Sequence, residues 1–236
     1  MDFVKYGSLL LLFLESCTLN PLKISKNEYG LQVIDKVGYY NFLLKTDSTK
    51  KMVPLRQYVP NVIFDWKYAT TNNFTKQVLY TNPDAFMRIE AAEALHKVAI
   101  ELQQHGFGLK IFDAYRPYAI TKKMWEVVPD ERYAANPAKG SGHNRGAAVD
   151  LTLYNLKTGE ELEMPTPYDD FTEKAHLNYM QLTPTVLRNR TTLIDAMRKQ
   201  GFLPLDTEWW HFYLPNAAQR FELMDLSFNE MRRITK

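Results

Sequence analysis

The sequence predicts an α+β fold: a single domain in which an antiparallel sheet is covered on one side by helices. Three observations predict it. Helical and strand-like patterns follow one another in irregular order, without the strict alternation of a doubly wound parallel sheet. At 236 residues the chain has the size of one ordinary domain. Hydrophobic residues make up 45% of it and aromatics 13%, enough for a substantial core, and 24% charged residues with 10 glycines give no sign of disorder or fibre.

The formal net charge is +2 and is spread along the chain, so no basic patch argues for nucleic acid; Lys50-Lys51 reads as a solvated loop. A single cysteine, Cys17, excludes an intramolecular disulfide framework. It follows Leu9-Leu10-Leu11-Leu12-Phe13-Leu14, an apolar run behind Lys5 that is too short to span a bilayer but suits the core of a secretory signal. Leu14-Glu15-Ser16-Cys17 resembles the bacterial lipoprotein box, despite Glu15 inside it and Asp2 offsetting Lys5. Residues 1–17 are therefore expected to be a signal peptide, with a lipid anchor at Cys17 and a location in the cell envelope, periplasmic or membrane-anchored. The alternative is an N-terminal helix with a buried cysteine on a cytoplasmic chain.

Residues 18–52 read as a tether and edge segment, with an edge strand at Val37-Gly38-Tyr39-Tyr40-Asn41-Phe42-Leu43-Leu44, and residues 53–236 as the folded domain. Val59 to Trp66 is a turn into a strand, and Tyr68-Ala69-Thr70-Thr71-Asn72-Asn73-Phe74 has the small and Asx residues of a loop. Asn82-Pro83-Asp84 signals a helix start, and Ile89, Ala92, Leu95, Val98, Ala99 and Leu102 follow at helical spacing until Gly106. Gly108 to Asp113 is a short strand, and Arg116-Pro117 opens a helix through about Val128. After a polar loop, Leu151 to Tyr154 continues as a strand that turns at Asn155 to Gly159. Thr183-Pro184 caps a helix that points Leu187, Leu193, Ile194 and Met197 inward and ends at Gly201. Phe202 to Leu214 is an aromatic core strand, and Ala217 to Ile234 a C-terminal amphipathic helix.

Two stretches carry chemistry: Ser141-Gly142-His143-Asn144-Arg145-Gly146-Ala147-Ala148-Val149-Asp150 and Glu208-Trp209-Trp210-His211. Two imidazoles and a carboxylate that can ligate, with a second carboxylate that can act as a base, make the donor set of a catalytic metal site with one position left for water. His143 and Asp150 are seven apart, which on one uninterrupted strand would send them to opposite faces. A turn must intervene, and Gly146 sits where it could form. Glu208 and His211 are three apart, so in a strand a bulge is needed for both to face one point. Taken alone, the first stretch equally describes a glycine turn into a buried strand, and the second a solvated Glu beside a core His. Arg116 could stabilise an oxyanion, clamp a carboxylate, or simply pair with Asp113. His176 lacks partners, and His96 and His105 belong to the first helix.

The pattern Ser141-x-His143-x-x-Gly146-x-Ala148-x-Asp150 with Glu208-x-x-His211 resembles the zinc D-Ala-D-Ala dipeptidases of the VanX type. Their superfamily also holds D,D-carboxypeptidases, peptidoglycan L,D-endopeptidases and the Hedgehog signalling domain. The similarity runs from about Ile63 to Tyr213, and Tyr68 to Phe74, Asp113-Ala114-Tyr115-Arg116-Pro117 and Thr166-Pro167-Tyr168-Asp169-Asp170-Phe171 look like the dipeptidase branch. The resemblance implies a Hedgehog/D,D-peptidase-like fold, Zn²⁺ held by His143, Asp150 and His211, Glu208 as general base, and Arg116 stabilising the tetrahedral intermediate. It places Ser141, Tyr68 and Asp169 against substrate, with Asp169 suited to an ammonium group. The implied reaction is hydrolysis of free D-Ala-D-Ala to two D-alanines. Alternatives are a D,D-carboxypeptidase or endopeptidase acting on peptidoglycan stem peptides, and a Hedgehog-like binding domain, against which Glu208 argues. Oligomeric state is not legible in the sequence.

Overall fold

The computed structural model describes residues 24–236; residues 1–17, expected to be a signal peptide, and its Cys17 lie outside the described residues. The chain folds as α+β. Strand β1 (Val33–Ile34) leads into helix α1 (Val37–Thr46), followed by β2 (Met52–Pro54), the single turn α2 (Leu55–Tyr58) and β3 (Ile63–Phe64). Then come β4 (Phe86–Arg88), α3 (Ile89–Gln104), β5 (Phe107–Asp113), α4 (Tyr118–Val127) and β6 (Ala148–Asn155). The last third holds α5 (Pro184–Lys199), β7 (Leu203–Leu205), β8 (Glu208–Tyr213), α6 (Ala217–Arg220), β9 (Leu223–Met224) and α7 (Phe228–Ile234).

The main sheet has the order β3-β5-β6-β8-β7. Its pairings are antiparallel except at the edge, where β3 joins β5 in parallel. Helices α3 and α5 cover it. The stripe Ala91, Ala92, Leu95, Val98, Ala99 and Leu102 of α3 is fully buried and packs with Leu109, Ile111, Leu151 and Leu153 of the sheet. Each fully buried Leu or Val in that layer contributes about 1.5–3 kcal/mol. Thr183 caps α5 by accepting a hydrogen bond from the Val186 N–H, with Pro184 in the first turn. A second apolar cluster joins α1, α4 and α7 through Tyr40, Met124, Phe228 and Met231, with Ile34, Met52, Phe86 and Met224 from the two-stranded sheets β1-β9 and β2-β4.

Four expectations change. The run Val37 to Leu44 is helix, not an edge strand: Val37, Tyr40, Leu43 and Leu44 fall at three-to-four spacing and pack into the second cluster, and the Tyr40 hydroxyl accepts from the Met52 N–H at 2.7 Å. The Asn82-Pro83-Asp84 signal does not start α3, because Phe86–Arg88 first pairs with Met52–Pro54. Phe202 to Leu214 is two strands, split by a two-residue turn at Asp206-Thr207. The final amphipathic stretch is broken: Leu223–Met224 pairs in parallel with Val33–Ile34, and a capping box between Ser227 and Glu230 begins a new helix.

Candidate metal centre and active site

Strand β6 alternates Ala148, Asp150 and Thr152 on one face, and its register with β8 sets Asp150 directly opposite His211. His143 reaches the same point from the one-turn helix His143–Arg145. Gly146 ends that turn at φ +67°, the left-handed conformation that a glycine adopts freely, and reverses the chain into β6. The intervening turn required by the seven-residue spacing is thus present, with Gly146 in it.

Ligating atoms of His143, Asp150 and His211 all lie within 4.8 Å of one another. His143 Nε2 is 3.3 Å from His211 Nδ1 and 3.4 Å from Asp150 Oδ2. Two ligands each about 2.0–2.1 Å from a tetrahedral ion lie about 3.3–3.4 Å apart, so the His143–His211 edge fits a zinc-sized cation. The third edge, His211 Nδ1 to Asp150 Oδ1, is a direct hydrogen-bonding distance of 2.8 Å. His143 Nδ1 stands 2.7 Å from the carbonyl of Ala114, which can only accept; the proton is therefore on Nδ1 and the Nε2 lone pair faces the cluster. Burial opposes ionisation of Asp150, but His143 and His211 outweigh it and hold the carboxyl well below its ordinary range. The donor set is thus imidazole, imidazole and carboxylate, as a catalytic zinc site requires.

The bulge expected at Glu208–His211 is present. Leu205 pairs with Glu208 and Pro204 with Phe212, so Trp209, Trp210 and His211 have no partners on β7. Both tryptophans turn into the core, at 0% and 1% exposure, and Trp209 Nε1 anchors the bulge on Thr166 Oγ1 at 2.9 Å. Glu208 and His211 emerge on one side, with Glu208 Oε2 4.0 Å from His211 Nδ1. Burial pushes the Glu208 carboxyl up to about 7 against the pull of His211, and Asp150 and Asp169 add to the rise. A carboxyl poised there can take and return a proton near neutral pH.

Arg116 does what the bland reading proposed and more. It pairs with Asp113, Nη2 to Oδ2 at 2.7 Å, while also lining the cavity 4.0 Å from Asp150. Burial works against its charge and Asp113 outweighs burial, so the guanidinium stays protonated. Asp113 is held in turn by the hydroxyl of Tyr80 at 2.7 Å. The cavity, about 210 Å³, brings Tyr68, Arg116, Ser141 and Asp169 together with His143, Asp150, Glu208 and His211. Phe74, Tyr133 and Phe171 form its wall, Phe171 meeting the other two edge-on at 5.6 and 5.1 Å. Asp169 has φ +61°, an uncommon conformation for a residue with a side chain, and burial followed by Asp150 pushes its carboxyl up to about 7.

His176 and His96 fall outside the cavity, as read from the sequence. Two residues were not singled out there. Asn144, fully buried, donates to the carbonyl of Arg116 and to Thr121, and its carbonyl accepts from the Ser141 N–H, locking the loop that carries Ser141. Tyr168 donates to Asp150 Oδ2 at 2.8 Å. Its signal was its place beside Asp169 in the Thr166–Phe171 stretch.

Comparison with known proteins identifies the family of the chain. A family profile described as D-Ala-D-Ala dipeptidase matches residues 48–232. The D-alanyl-D-alanine dipeptidase of Escherichia coli (strain K12) is 35% identical over 171 residues, 72% of this chain and 88% of that protein. That of Enterococcus faecium is 33% identical over 180 residues, 68% of this chain and 89% of that protein. That of Streptomyces coelicolor is 31% identical over 182 residues, 67% of this chain and 88% of that protein. Matched by the family profile over residues 48–232 and 31–35% identical to these relatives over about two thirds or more of its length, the chain belongs to the D-Ala-D-Ala dipeptidase family of peptidases.

Proposed function

We propose that this chain is a zinc-dependent dipeptidase that hydrolyses free D-Ala-D-Ala to two D-alanines. The observation that carries the reading is the cavity itself. At about 210 Å³ it is smaller than the 300–1,000 Å³ typical of drug-sized ligand sites, and one small space holds a metal-ligand trio, a base, a cation and an anion.

His143, Asp150 and His211 would hold zinc, which when bound would supply Lewis acidity for hydrolysis of the peptide bond. Glu208 accepts the proton of the attacking water and returns it to the departing amine. Its raised pKa matches both transfers. Arg116, kept charged by Asp113, faces the oxygen that becomes negative as the carbonyl carbon turns tetrahedral. Asp169 receives the substrate ammonium, with the Tyr68 hydroxyl 3.1 Å from its Oδ1. Ser141 also lines the cavity, where it would contact the rest of the dipeptide. Phe74, which donates its N–H to Asp169, lines the cavity with Tyr133 and Phe171, and an aromatic wall beside the ammonium site would favour a free dipeptide over a stem peptide. With Cys17 lipidated, the enzyme would work in the cell envelope, scavenging D-Ala-D-Ala or trimming wall fragments.

The test is amino-acid release by zinc-loaded protein from free D-Ala-D-Ala, N-acetyl-D-Ala-D-Ala and a stem pentapeptide. Release from the free dipeptide alone is expected. Release from the blocked or longer substrates would move the assignment to a wall carboxypeptidase. Glu208→Gln should keep its zinc and lose at least about 100-fold in kcat, the lower range for a general base; undiminished turnover would remove Glu208 from that role.

A further inference from the structure

Three short oxygen–oxygen contacts run from Asp169 to Asp150 through two phenols. Tyr68 hydroxyl lies 3.1 Å from Asp169 Oδ1, Tyr168 hydroxyl lies 3.0 Å from Tyr68 hydroxyl, and Tyr168 donates to Asp150 Oδ2 at 2.8 Å. Each phenol has one proton to give: with that of Tyr168 on Asp150 Oδ2, Tyr68 gives its own to Tyr168 or to Asp169.

The ring of Tyr168 has little freedom. It stacks on Phe112 at 4.6 Å and 27°, meets Trp210 edge-on at 5.4 Å and meets Tyr68 at 6.1 Å. Phe112 sits on β5 and Trp210 in the bulge of β8, so the hydroxyl is aimed by the strands flanking Asp150. The two Asp150 oxygens consequently differ. Oδ1 faces His211 at 2.8 Å, whereas Oδ2, 3.4 Å from His143 Nε2, accepts from Tyr168. A carboxylate whose second oxygen is engaged in this way presents one oxygen to a cation, and its orientation is fixed before the cation arrives.

We propose that Tyr168 is a positioning residue: its hydroxyl holds Asp150 to one-oxygen ligation, and through Tyr68 it ties that ligand to Asp169. This rests on the reading above, in which Asp150 holds the metal and Asp169 the substrate ammonium. Tyr168 does not line the cavity, and it acts through Asp150 and Tyr68. The tie also gives direction to a graded effect. Removing the Tyr168 hydroxyl frees Oδ2 outright, whereas removing that of Tyr68 leaves the Tyr168–Asp150 bond and loosens only its far anchor.

The experiment compares wild type, Tyr168→Phe and Tyr68→Phe, each of which keeps its ring and the packing around it. Cobalt(II) is titrated into metal-free protein against a competing chelator, its visible spectrum is recorded, and the thermal midpoint of the metal-free form is measured. Tyr168→Phe is expected to bind cobalt about 10- to 100-fold more weakly, the range for loss of a partner outside the coordination sphere. Its spectrum should shift toward higher coordination number, with lower absorptivity, as Oδ2 becomes free to bind. Tyr68→Phe should weaken cobalt binding less than Tyr168→Phe and keep the wild-type spectrum. Wild-type affinity and spectrum in Tyr168→Phe would overturn the proposal, as would a loss of affinity with an unchanged spectrum and a metal-free midpoint lowered in proportion. The reading it rests on fails separately, if wild-type protein binds cobalt yet releases no D-alanine from D-Ala-D-Ala.

Discussion

Gly146→Ala isolates the turn on which the proposed metal site depends. The residue sits at φ +67°, where a side chain costs about 1–2 kcal/mol relative to ordinary backbone. A Cβ there would lie 2.5 Å from Met52 Cε and 2.6 Å from its Sδ. Met52 is fully buried against the second apolar cluster, so moving it adds an overpacking cost of about 1–3 kcal/mol. The two together predict a loss of about 2–5 kcal/mol, and at about 2–4 °C per kcal/mol for a chain of this size the midpoint should fall by about 4–20 °C. Urea and thermal unfolding of the metal-free protein measure it. The collision with Met52 is tested by placing Gly146→Ala in a Met52→Ala background, where its added cost should shrink to the backbone part, about 1–2 kcal/mol. A loss under about 1 kcal/mol in the wild-type background would refute the reasoning, because the backbone conformation alone predicts that much.

The remaining predictions concern the supports of the same site. Arg88 is fully buried and donates to the carbonyls of Lys50, Arg145 and Glu222, and its own N–H donates to the Gly146 carbonyl. Arg88→Met would leave three acceptors facing an apolar chain at about 1–3 kcal/mol each, so denaturant titration should show a loss of at least about 3 kcal/mol, with Arg88→Lys intermediate; a loss below about 1 kcal/mol would mean that water replaces the guanidinium. Burial, then Asp150, pushes Asp169 up to about 7, whereas an unfolded aspartate titrates near about 3.9. Between those values the folded protein holds the proton and the unfolded chain does not, so stability of the metal-free protein falls as pH rises through that window. Asp169→Asn should therefore gain stability over wild type at pH about 8 and not at pH about 4. Glu208, raised in the same direction, leaves part of the slope in place. An identical pH dependence in Asp169→Asn and wild type would contradict the assignment.

What was legible in the sequence was what local geometry alone demands. A seven-residue separation cannot bring two side chains of one strand to one face, so a turn was required, and the only glycine between His143 and Asp150 is Gly146. A three-residue separation in an aromatic strand required a bulge, and three residues of β8 without partners on β7 provide it. Both inferences used only period and parity, which are properties of the backbone. The misread segments are those where a distant partner decides. Val37 to Leu44 is apolar at strand-like density, and its helical conformation is settled by the cluster that receives Tyr40, Leu43 and Leu44. Leu223–Met224 could have extended a helix, and it is the edge of Val33–Ile34, almost two hundred positions earlier, that draws it out straight.

The same distinction explains why the ligand trio is more legible than its supports. His143, Asp150, Glu208 and His211 carry chemical identities that few other roles use together, so their types announce them. Tyr168, Asp113 and Asn144 are ordinary core residues by type, and each acquires its role from a contact that spans 18 to 33 positions: Asp150 for Tyr168, Tyr80 for Asp113, Thr121 and Arg116 for Asn144. No local pattern encodes such contacts, because the sheet register and the bulge that produce them are set by the whole core. Substituting one of these supports should therefore alter the precision with which the ligands are held while leaving the ligands themselves in place. That difference separates the cobalt spectrum of Tyr168→Phe from the plain loss of metal expected when His143 is replaced by Ala.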